Sequence, residues 1–501
     1  MTRPFLRFHQ VAFGYETALE PLFKDISVHL STGWTGIVGA NGAGKTTFLK
    51  LAAGLLSPDA GLVITPERVV YCPQRTDSPP EHFAELLQDS SKKASLIKEK
   101  FGVKEDWINR WLTLSHGERK RTQIAAAFWL EPGVLAIDEP TNHVDAEGRD
   151  ILIQALRTFK GVGLVVSHDR ELLDSLCMQC VFMQPPGVVV RPGGYSKGAG
   201  LAAEEDLVLR RKYEVRKKAF KKLRYEAGRR RDLVDPGKLS KRGIAGRDHD
   251  AKAKINGARV AGKDAVGGKL LRQLDGRLSH LRDELESIRV TKQYSLGIWL
   301  PGSVSRRDAL LDIPPQTVPL GGQKRLTCPR LVLRSTDRLA LTGPNGGGKS
   351  TLLRHLLPRL NAPSRQITYV PQEIDAQQCR DILTEAQNLP HEQLGHLMTI
   401  VSRLGSRPNR LLESTEPSPG EARKLLLAIG MTHKPNVIMM DEPTNHMDLP
   451  SIECLEAALA DCPCCLLLVS HDRRFLEKLT EQEWRIRHQA ASEGFFDLQV
   501  L

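Results

Sequence analysis

The chain has 501 residues, and at roughly 150 residues per domain this length predicts about three domains. With 41% apolar and 26% charged residues, the composition is that of an ordinary globular protein, which excludes a disordered, collagen-like or disulfide-framework chain. The net charge is +12, and residues 204 to 292 carry all of this excess, because they contain 26 basic and 14 acidic residues.

The apolar runs of the sequence are short. The runs at Val162–Val166 and Cys464–Val469 are far shorter than the roughly 20 residues that a membrane-spanning helix needs. The N-terminal stretch MTRPFLRFHQVAF mixes polar residues and a proline into its apolar positions, unlike a secretory signal. We therefore expect a cytoplasmic protein without a transmembrane segment.

Nine cysteines are scattered along the chain, and two groups of them have the close spacing of metal ligands. These groups are Cys177 with Cys180 and the Cys462-Pro-Cys-Cys465 run. Both lie in or beside apolar runs, which favours buried thiols over a zinc site.

The first motif along the chain is the glycine-rich segment Gly39-Ala-Asn-Gly-Ala-Gly-Lys-Thr46. It follows a short apolar strand and matches the phosphate-binding loop pattern of glycine, four residues and then Gly-Lys-Ser/Thr. Its backbone amides can surround phosphate oxygens, while Lys45 is expected to reach the β and γ phosphates and Thr46 to place a hydroxyl on Mg²⁺. The predicted nucleotide-binding residues of this loop are Gly39, Asn41, Gly42, Gly44, Lys45, Thr46 and Thr47.

Two apolar strands with polar ends follow. The strand from Val134 ends in Asp138 and Glu139, and a core strand does not normally end in paired carboxylates. Asp138 is therefore predicted to be a Mg²⁺ partner and Glu139 a general base that polarises the attacking water. The next strand ends in Ser167-His168-Asp-Arg, and His168 is predicted to contact the γ-phosphate or to position the water.

The same ordered motifs occur a second time, about 303 residues later. Lys45 and Lys349 are 304 positions apart, and Ser115 and Ser418 are 303 apart. Because two phosphate loops in register cannot be a chance match, the chain is predicted to contain two copies of one nucleotide-binding domain. In the second copy the predicted nucleotide-binding residues are Gly343, Asn345, Gly346, Gly348, Lys349, Ser350 and Thr351. Its predicted metal partners are the Ser350 hydroxyl and Asp441, and its predicted catalytic residues are Glu442 and His471.

These residues resemble those of the ATP-binding cassette ATPases. The segments Leu114-Ser-His-Gly-Glu118 and Pro417-Ser-Pro-Gly-Glu421 look like the family's signature sequence, and Tyr15 resembles the aromatic residue that stacks on adenine. The resemblance implies that the two cassettes pair head to tail, so that each phosphate loop faces the signature of the other cassette across a shared ATP. The signature residues that it implies as nucleotide contacts are Ser115, Gly117, Ser418 and Gly420, and its metal-sensing glutamines would be Gln74 and Gln372.

A narrower resemblance is to the F subfamily, which lacks membrane domains and joins its cassettes by a charged helical linker. It rests on Glu-Pro-Thr-Asn-His-Val-Asp at 139 to 145 and its counterpart at 442 to 448. Gly193-Gly-Tyr-Ser196, before the linker, is similar to a motif of that subfamily. The resemblance implies a Mg²⁺-dependent ATPase, a monomer with two internal cassettes. It also implies action on the ribosome, as a translation factor or an antibiotic-resistance ribosome-protection protein.

Three features depart from the family pattern. Pro419 replaces a signature glycine and removes one backbone donor, so the site on Lys45 is expected to hydrolyse slowly. The second cassette has Pro319 and Leu320 where the spacing of Tyr15 would place an aromatic residue, so looser nucleotide binding is expected there. Some relatives insert an extra arm between the glutamine and the signature serine. Here Gln74 and Ser115 are 41 positions apart, and Gln372 and Ser418 are 46 apart, which leaves no room for such an arm.

The basic segment is predicted to form a helical hairpin. Leucines and an isoleucine from Leu271 to Ile288 recur at steps of 3 and 4, and a looser seam runs from Leu209 to Ala227. Residues 232 to 268 carry seven glycines and are predicted to form the tip. At about 1.5 Å per residue, the 28 residues from 204 to 231 would project roughly 40 Å.

No Phe, Tyr or Trp occurs from 226 to 293, so this hairpin is expected to contact rRNA or tRNA phosphates rather than to stack on bases. A solvated helical spacer is the alternative for this segment. The clustering of positive charge favours the nucleic-acid contact, because an ordinary coiled coil mixes charges of both signs.

The predicted fold is an α/β protein with two P-loop nucleotide-binding domains of the ATP-binding cassette type, joined by an antiparallel helical hairpin. Their predicted bounds are residues 1–200, 201–300 for the hairpin, and 301–501. The fused ATPase subunit of a membrane importer is the leading alternative, and a DNA-associated ATPase with a coiled coil is another. The basic hairpin favours the ribosome, since an importer does not need one and DNA clamps generally need a far longer one. Contact with a membrane or with DNA is therefore not expected.

Overall fold

The computed structural model describes residues 4–16, 20–66, 68–142, 144–234, 263–287, 302–404, 406, 411–412, 417–445, 447–489 and 494–501. It contains two compact units. One consists of residues 1–198 together with 294–501, and the other of residues 199–293. Both copies of the nucleotide-binding motifs therefore belong to the first unit, and the basic segment makes up most of the second.

The first cassette is built from an antiparallel sheet and a mainly parallel sheet. Its strands are β1 (Leu6–Phe13), β2 (Phe23–Leu30), β3 (Gly33–Val38), β4 (Ala60–Ile64), β5 (Val69–Cys72), β6 (Val134–Asp138), β7 (Val162–Val166), β8 (Cys177–Gln184) and β9 (Gly187–Pro192). The antiparallel sheet has the order β2-β1-β4, and the second sheet has the order β5-β6-β7-β3-β8-β9. In β6 and β7 every side chain is buried, as expected for parallel strands that are covered on both faces.

This strand order positions the predicted site. Strands β5, β6, β7 and β3 are parallel, so their carboxyl ends lie at one edge of the sheet. The phosphate loop follows β3, Asp138 ends β6 and His168 follows β7. Residues that are more than 120 positions apart in sequence are thereby brought to the same edge, where ligands bind in open α/β sheets.

Several helices of the first cassette begin at a polar residue whose side chain caps them. The helices of this cassette are α1 (Lys45–Ala52), α2 (Phe83–Gln88), α3 (Lys92–Phe101), α4 (His116–Trp129), α5 (Ala146–Leu156) and α6 (Arg170–Leu176). Ser115 caps α4 through a reciprocal capping box with Glu118, and Asp145 caps α5. These caps satisfy amide groups that a helix leaves without partners at its first turn, and they therefore define where α4 and α5 begin.

The second cassette repeats the parallel core. Its strands are β10 (Ala309–Ile313), β11 (Gln316–Gly321), β12 (Lys324–Cys328), β13 (Leu331–Arg334), β14 (Arg338–Thr342), β15 (Ile367–Val370), β16 (Val437–Asp441), β17 (Cys465–Val469), β18 (Gln482–His488) and β19 (Phe495–Val500). The order of the main sheet is β11-β12-β19-β18-β14-β17-β16-β15, and β10 pairs with β13. Here the β11–β12 hairpin joins the main sheet through β19, whereas in the first cassette β1, β2 and β4 form a separate antiparallel sheet.

The basic unit contains α8 (Lys263–Ser287) and all of α7 (Tyr195–Val234) except its first four residues. Arg216 of α7 pairs with Glu284 of α8 at 2.7 Å, and Ala227 and Leu274 are buried, which is consistent with the predicted seam. The predicted bounds of the tip are wrong, because α8 begins at Lys263 and includes Gly267 and Gly268. A helical glycine costs only about 1 kcal/mol relative to alanine, which packing can offset. The predicted tip residues 235–262 lie outside the described residues.

The remaining helices of the second cassette are α9 (Lys349–Leu356), α10 (Ala376–Gln387), α11 (His391–Arg403), α12 (Pro419–Thr432), α13 (Leu449–Ala460) and α14 (Arg473–Leu479). Cys180 in the first cassette and Cys462 and Cys464 in the second are buried free thiols, which confirms the predicted burial. Within the part of the chain that the structure describes, every helix is too short or too polar to cross a bilayer.

Candidate nucleotide-binding sites

A cavity of about 540 Å³ lies at the phosphate loop of the second cassette. The second cassette lines it with its phosphate loop, Gln372, Asp441, Glu442 and His471, while the first cassette contributes Ser115 and His116. The signature segment of one cassette therefore shares a cavity with the phosphate loop of the other. This is the head-to-tail arrangement that the resemblance implied.

The aspartates that cap α5 and α13 each lie near the phosphate loop of the opposite cassette. Asp448 Oδ2 of the second cassette accepts a hydrogen bond of 2.7 Å from the backbone N–H of Asn41 in the first phosphate loop. Asp145 of the first cassette lies near Lys349, where its charge raises the pKa of the ammonium against the larger effect of burial. The charge of a carboxylate from the opposite cassette therefore acts on each phosphate loop.

The phosphate loops hold their lysines on backbone carbonyls. Lys45 Nζ donates to Gly39 O at 2.9 Å and to Ala40 O at 3.1 Å. Lys349 Nζ donates to Gly343 O at 2.8 Å and to Pro344 O at 3.2 Å. Burial lowers the pKa of both lysines, and nearby carboxylates oppose this effect.

Glycine is required where each loop enters its helix. Gly44 has φ +88° and Gly348 has φ +92°, a left-handed conformation that favours glycine. A Cβ on Gly44 would also collide with Phe23, and one on Gly348 would collide with Leu320. The predicted residues Gly42, Gly343 and Gly346 also have positive φ angles, so these backbone conformations shape both loops.

The residues predicted to hold the metal lie together. Thr46 Oγ1 donates to Asp138 Oδ2 at 2.7 Å, and Ser350 Oγ donates to Gln372 Oε1 at 3.4 Å. Among the described residues, no hydrogen-bond donor reaches the buried Asp441 Oδ1. Hydroxyl, carboxylate and amide oxygens form the donor set that Mg²⁺ prefers, so these residues fit that ion. Gln74 follows β5 at the same edge, with an exposed side chain.

The two predicted general bases share an unusual backbone and a shifted pKa. Glu139 and Glu442 both have φ +48°, which is strained for a residue with a side chain. Their N–H groups donate to Val166 O at 2.9 Å and Val469 O at 2.8 Å. Burial raises the pKa of each carboxyl to about 8, despite the opposing charge of the loop lysine. A pKa near the working pH is suited to a general base.

Each predicted histidine lies against the glutamate of its own cassette. His168 Nε2 is 3.2 Å from Glu139 Oε1. His471 Nε2 is 3.4 Å from Glu442 Oε1, 3.3 Å from Lys349 Nζ and 3.1 Å from Asn345 Oδ1. Burial and the charge of Lys349 lower the pKa of His471 to about 3, so its imidazole is neutral at physiological pH.

The surroundings predicted for adenine differ between the sites. The Tyr15 hydroxyl is 2.8 Å from Thr47 Oγ1, and the Tyr15 ring packs edge-on against Phe13. Its side chain is nevertheless 46% exposed, which leaves a ring face for a ligand. In the second cassette Leu320 and Lys324 line the cavity instead.

The two signature segments have the same local structure. Ser115 and Ser418 are the caps of α4 and α12, and each makes a capping box with the glutamate three residues later. Pro419 is the first residue of α12, a position where proline is tolerated because its N–H has no partner within the helix. The helix is therefore preserved, while the amide that His116 supplies in α4 is missing. Gly117 is buried near Val144, and Gly420 is half-buried.

Several residues of this region were not among the predicted site residues. Asp145 and Asp448 recur at the same offset of 303 as the acids, which could have identified them. Lys120 and Arg423 also recur at that offset, five residues after each signature serine. Their buried contacts depend on the packing of α4 and α12, which the sequence pattern alone does not reveal.

A polar network also connects α6 with α13 and α14 across the cassettes. Arg170, which is 8% exposed, pairs with the buried Glu456 and donates to Asp472 at 3.2 Å. Tyr195 of the predicted Gly193-Gly-Tyr-Ser196 motif donates to Glu453 at 2.8 Å. This motif therefore contributes to the contact between the cassettes.

Comparison with known proteins agrees with this architecture. Residues 23–142 and 329–445 match the sequence profile of the family described as ABC transporter. Ribosome protection protein VmlR of Bacillus subtilis (strain 168) is 27% identical, over 97% of this chain and 87% of that protein. Tylosin resistance ATP-binding protein TlrC of Streptomyces fradiae is 29% identical, over 97% of this chain and 98% of that protein.

A solved structure has the same fold. It is a chain from the crystal structure of the complex of archaeal ribosomal stalk protein aP1 and archaeal ribosome recycling factor aABCE1. The TM-score is 0.62 at 18% identity, with 98% of this chain and 90% of that chain covered. Three findings identify the family of this chain. Both cassettes match the family profile, the relatives span almost the whole chain, and the cavity joins the cassettes head to tail. The chain belongs to the ATP-binding cassette proteins, in the F subfamily of tandem-cassette ATPases.

Proposed function

We propose that this protein binds ATP at two sites shared between its cassettes and hydrolyses it to ADP and phosphate, which closes and reopens the pair. The observation that carries this proposal is the cavity in which Ser115 of one cassette joins Lys349 and Glu442 of the other. A nucleotide bound there contacts both cassettes at once. Binding energy is thereby converted into closure of the pair.

The residues of the second site have distinct roles in this proposal. The loop amides and Lys349 bind the phosphates, and Ser115 adds a hydroxyl at the positive N-terminus of α4. Mg²⁺, held by Ser350, Gln372 and Asp441, would neutralise charge on the β and γ phosphates. Glu442 accepts the proton of the attacking water, and the neutral His471 orients the γ-phosphate.

The first site uses the matching residues Lys45, Thr46, Asp138, Glu139 and His168. Its signature has one amide fewer because of Pro419, so it stabilises the transition state less well. Tyr15 gives this site a stacking partner for adenine, which favours retention of nucleotide. We therefore propose that the first site holds ATP longer and that the second turns over faster.

The test of ATP hydrolysis is steady-state phosphate release after Glu139→Gln and Glu442→Gln in one chain. This variant should bind ATP and lose nearly all turnover, because it keeps the shape of each side chain and removes the base. Glu131→Gln is the matched control, since Glu131 also has φ +48° and lies at an exposed position bound to Lys93. Wild-type release by the double variant would exclude the assigned bases.

We propose further that the protein acts on the ribosome, and therefore in the cytoplasm. Two relatives that span nearly the whole chain are named for ribosome protection and for tylosin resistance. Residues 204–292 carry a net charge of +12, and basic side chains neutralise nucleic-acid phosphates. These facts support a contact between the basic unit and rRNA or tRNA.

Sedimentation with ribosomes in ATP tests this proposal, with the variant of both glutamates as the trapped form. A salt series then tests the phosphate contacts, because each neutralised phosphate releases counterions and steepens the salt dependence. The test variant replaces four basic residues of the predicted tip with alanine, namely Lys238, Lys241, Arg242 and Arg247. We expect weaker binding, a flatter salt dependence and unchanged basal ATPase.

A matched variant controls for the lost charge itself. It replaces four exposed basic residues of the cassettes, namely Lys92, Lys100, Lys160 and Arg365. This variant has the same net charge as the tip variant and should bind ribosomes as wild type does. If the tip variant also sediments as wild type at every salt concentration, the phosphate contact is refuted, and a spacer or an importer subunit becomes the better interpretation.

The ribosome-protection role can be tested in a susceptible bacterium. Expression of the wild-type chain should raise the inhibitory concentration of tylosin, whereas the variant of both glutamates should not. Unchanged susceptibility with the wild-type chain, despite ribosome binding, would favour a general translation factor.

A further inference from the structure

A buried cation occupies the same position in both cassettes, five residues after the signature serine. Lys120 of α4 is 3% exposed and Arg423 of α12 is 4% exposed. These residues are separated by 303 positions, the spacing of the motifs. A charged side chain is seldom buried this deeply unless it is fully hydrogen-bonded, so each position has a specific structural task.

Lys120 bridges two segments of the first nucleotide site. Its Nζ donates to Pro73 O at 2.7 Å and to Asp138 O at 2.8 Å. Pro73 directly precedes Gln74, and the carbonyl of Asp138 belongs to the peptide that leads into the strained Glu139. Lys120 therefore holds the backbone beside the predicted metal-sensing Gln74 and beside the predicted base Glu139.

Arg423 makes the corresponding bridge in the second cassette. Its guanidinium donates to Gln372 O and, at 2.6 Å, to Asn445 O. Asn445 follows Glu442 in the segment that leads to Asp448, and both Gln372 and Asn445 line the cavity. Each cation thus connects the segment at the predicted metal-sensing glutamine with the segment that follows the strand acids. The carbonyls differ, because those bound by Arg423 lie one and four positions beyond the counterparts of Pro73 and Asp138.

Helix α4 extends this bridge to the opposite site. Ser115, its cap, lies in the cavity of the second site, while Lys120 binds the backbone of the first. Five residues of helix separate them by about 7.5 Å, and a hydrogen-bonded helix moves over this length as a rigid body. A shift of Ser115 toward a nucleotide at the second site must therefore act on the carbonyls that Lys120 holds at the first.

We propose that Lys120 is a positioning residue that couples the two nucleotide sites, transmitting engagement of Ser115 at the second site to the peptide of Glu139 at the first. Arg423 connects the equivalent segments to α12, through the carbonyls of Gln372 and Asn445. This inference rests on the proposed binding of ATP at both sites. It assigns to Lys120 no contact with nucleotide and no proton transfer.

The test measures binding rather than turnover, in the chain that carries Glu139→Gln and Glu442→Gln. A fluorescent ATP analogue is titrated into this reference chain and into the same chain with Lys120→Met. Two coupled sites give a Hill coefficient between about 1 and 2, and we expect Lys120→Met to reduce it to about 1. The half-saturating concentration should change by less than about threefold, since uncoupling does not remove a nucleotide contact.

Two further variants separate coupling from a general loss of structure. Lys98→Met is the matched control, because Lys98 Nζ also donates to two carbonyls of the first cassette, at 3.3 and 3.2 Å from Leu87 O and Asp89 O. It should keep the Hill coefficient of the reference. Lys120→Arg, which places the residue type of position 423 at position 120, should restore coupling. If Lys120→Met does not fold, Lys120→Gln, with a shorter donor, should give an intermediate coefficient.

The outcomes are distinguishable. A Lys120→Met or Lys120→Gln chain that binds with the Hill coefficient of the reference refutes the coupling role and leaves the proposed ATPase intact. If Lys98→Met lowers the Hill coefficient as much as Lys120→Met does, the coupling role is also refuted, because the loss of any lysine bridge between carbonyls would then lower it. A reference chain that binds no ATP refutes the proposed function instead.

Discussion

The contact between the cassettes includes a buried ion pair whose strength can be measured. Arg170 of α6 pairs with Glu456 of α13, and the two side chains are 9% and 2% exposed. Arg170 also donates to Asp472, and Lys478 approaches Glu456 at 3.1 Å. Although burial works against its charge, these carboxylates raise the pKa of Arg170 above its ordinary value. We predict that Arg170→Met destabilises the paired cassettes.

The expected loss of unfolding free energy depends on the buried charge of Glu456, which Arg170→Met leaves behind. Removing one partner of a buried pair costs about 3–5 kcal/mol, because the other charge stays buried. Lys478 still contacts Glu456, but its side chain is 53% exposed and water screens its charge, so it compensates only in part. We therefore expect a loss of about 3 kcal/mol for Arg170→Met. The double variant Arg170→Met with Glu456→Met should lie within about 1 kcal/mol of wild type, because it leaves no buried charge unpaired.

Urea denaturation of the wild type, both single variants and the double variant forms a double-mutant cycle. The coupling energy between the two positions should be about 2–3 kcal/mol. Arg330→Met is the control, since Arg330 pairs with Asp312 on the surface and its loss should change stability little. A loss below about 1 kcal/mol for Arg170→Met, or a double variant no more stable than that single variant, would show that the pair is not buried as described.

Three more predictions concern the nucleotide sites. Glu442→Gln should reduce phosphate release more than Glu139→Gln, since Pro419 weakens the first site; equal losses would contradict this inequality. Tyr15→Ala should weaken ATP binding at one of the two sites by about tenfold, in line with the 1–3 kcal/mol of stacking on a base, while Tyr15→Phe should not; equilibrium titration distinguishes them. Burial raises the pKa of Glu139 and Glu442 from 4.5 to about 8, so the folded state favours their protonated forms. The stability that these carboxyls contribute is therefore fully present below pH 4.5 and is lost as the pH rises through 8. Replacing both with Gln should therefore raise the melting temperature of the nucleotide-free protein more at pH 8.5 than at pH 5.5, and an equal shift at both values would refute the raised pKa.

The local motifs could be read directly from the sequence. A phosphate loop needs glycines at particular positions, because Gly44 and Gly348 adopt left-handed conformations against packed side chains. Acids at the end of an apolar strand are equally visible, since a buried strand does not tolerate carboxylates without a function. The parallel order of β6, β7 and β3 then brings these motifs together.

In the hairpin, the sequence pattern predicted the helices but not the residue at which α8 begins. The 3 and 4 spacing predicted both helices, and the buried Leu274 is consistent with the seam. The glycines at 267 and 268 were interpreted as part of the tip, yet α8 begins at Lys263. A glycine penalty of about 1 kcal/mol is small enough for neighbouring contacts to outweigh, so composition alone does not determine where a helix begins.

The sequence by itself determined the chemistry of this protein, because phosphate and metal recognition depend on short segments of fixed geometry. Only the tertiary structure decided which cassette residues meet across the sites. The contact of Asn41 with Asp448 and that of Arg170 with Glu456 join positions 407 and 286 residues apart. The hydrogen bonds of Lys120 to two carbonyls likewise depend on how the helices pack. The raised pKa of Glu139 results from its burial. Burial and such distant contacts arise from the packing of whole elements, and a local pattern of residues does not encode that packing.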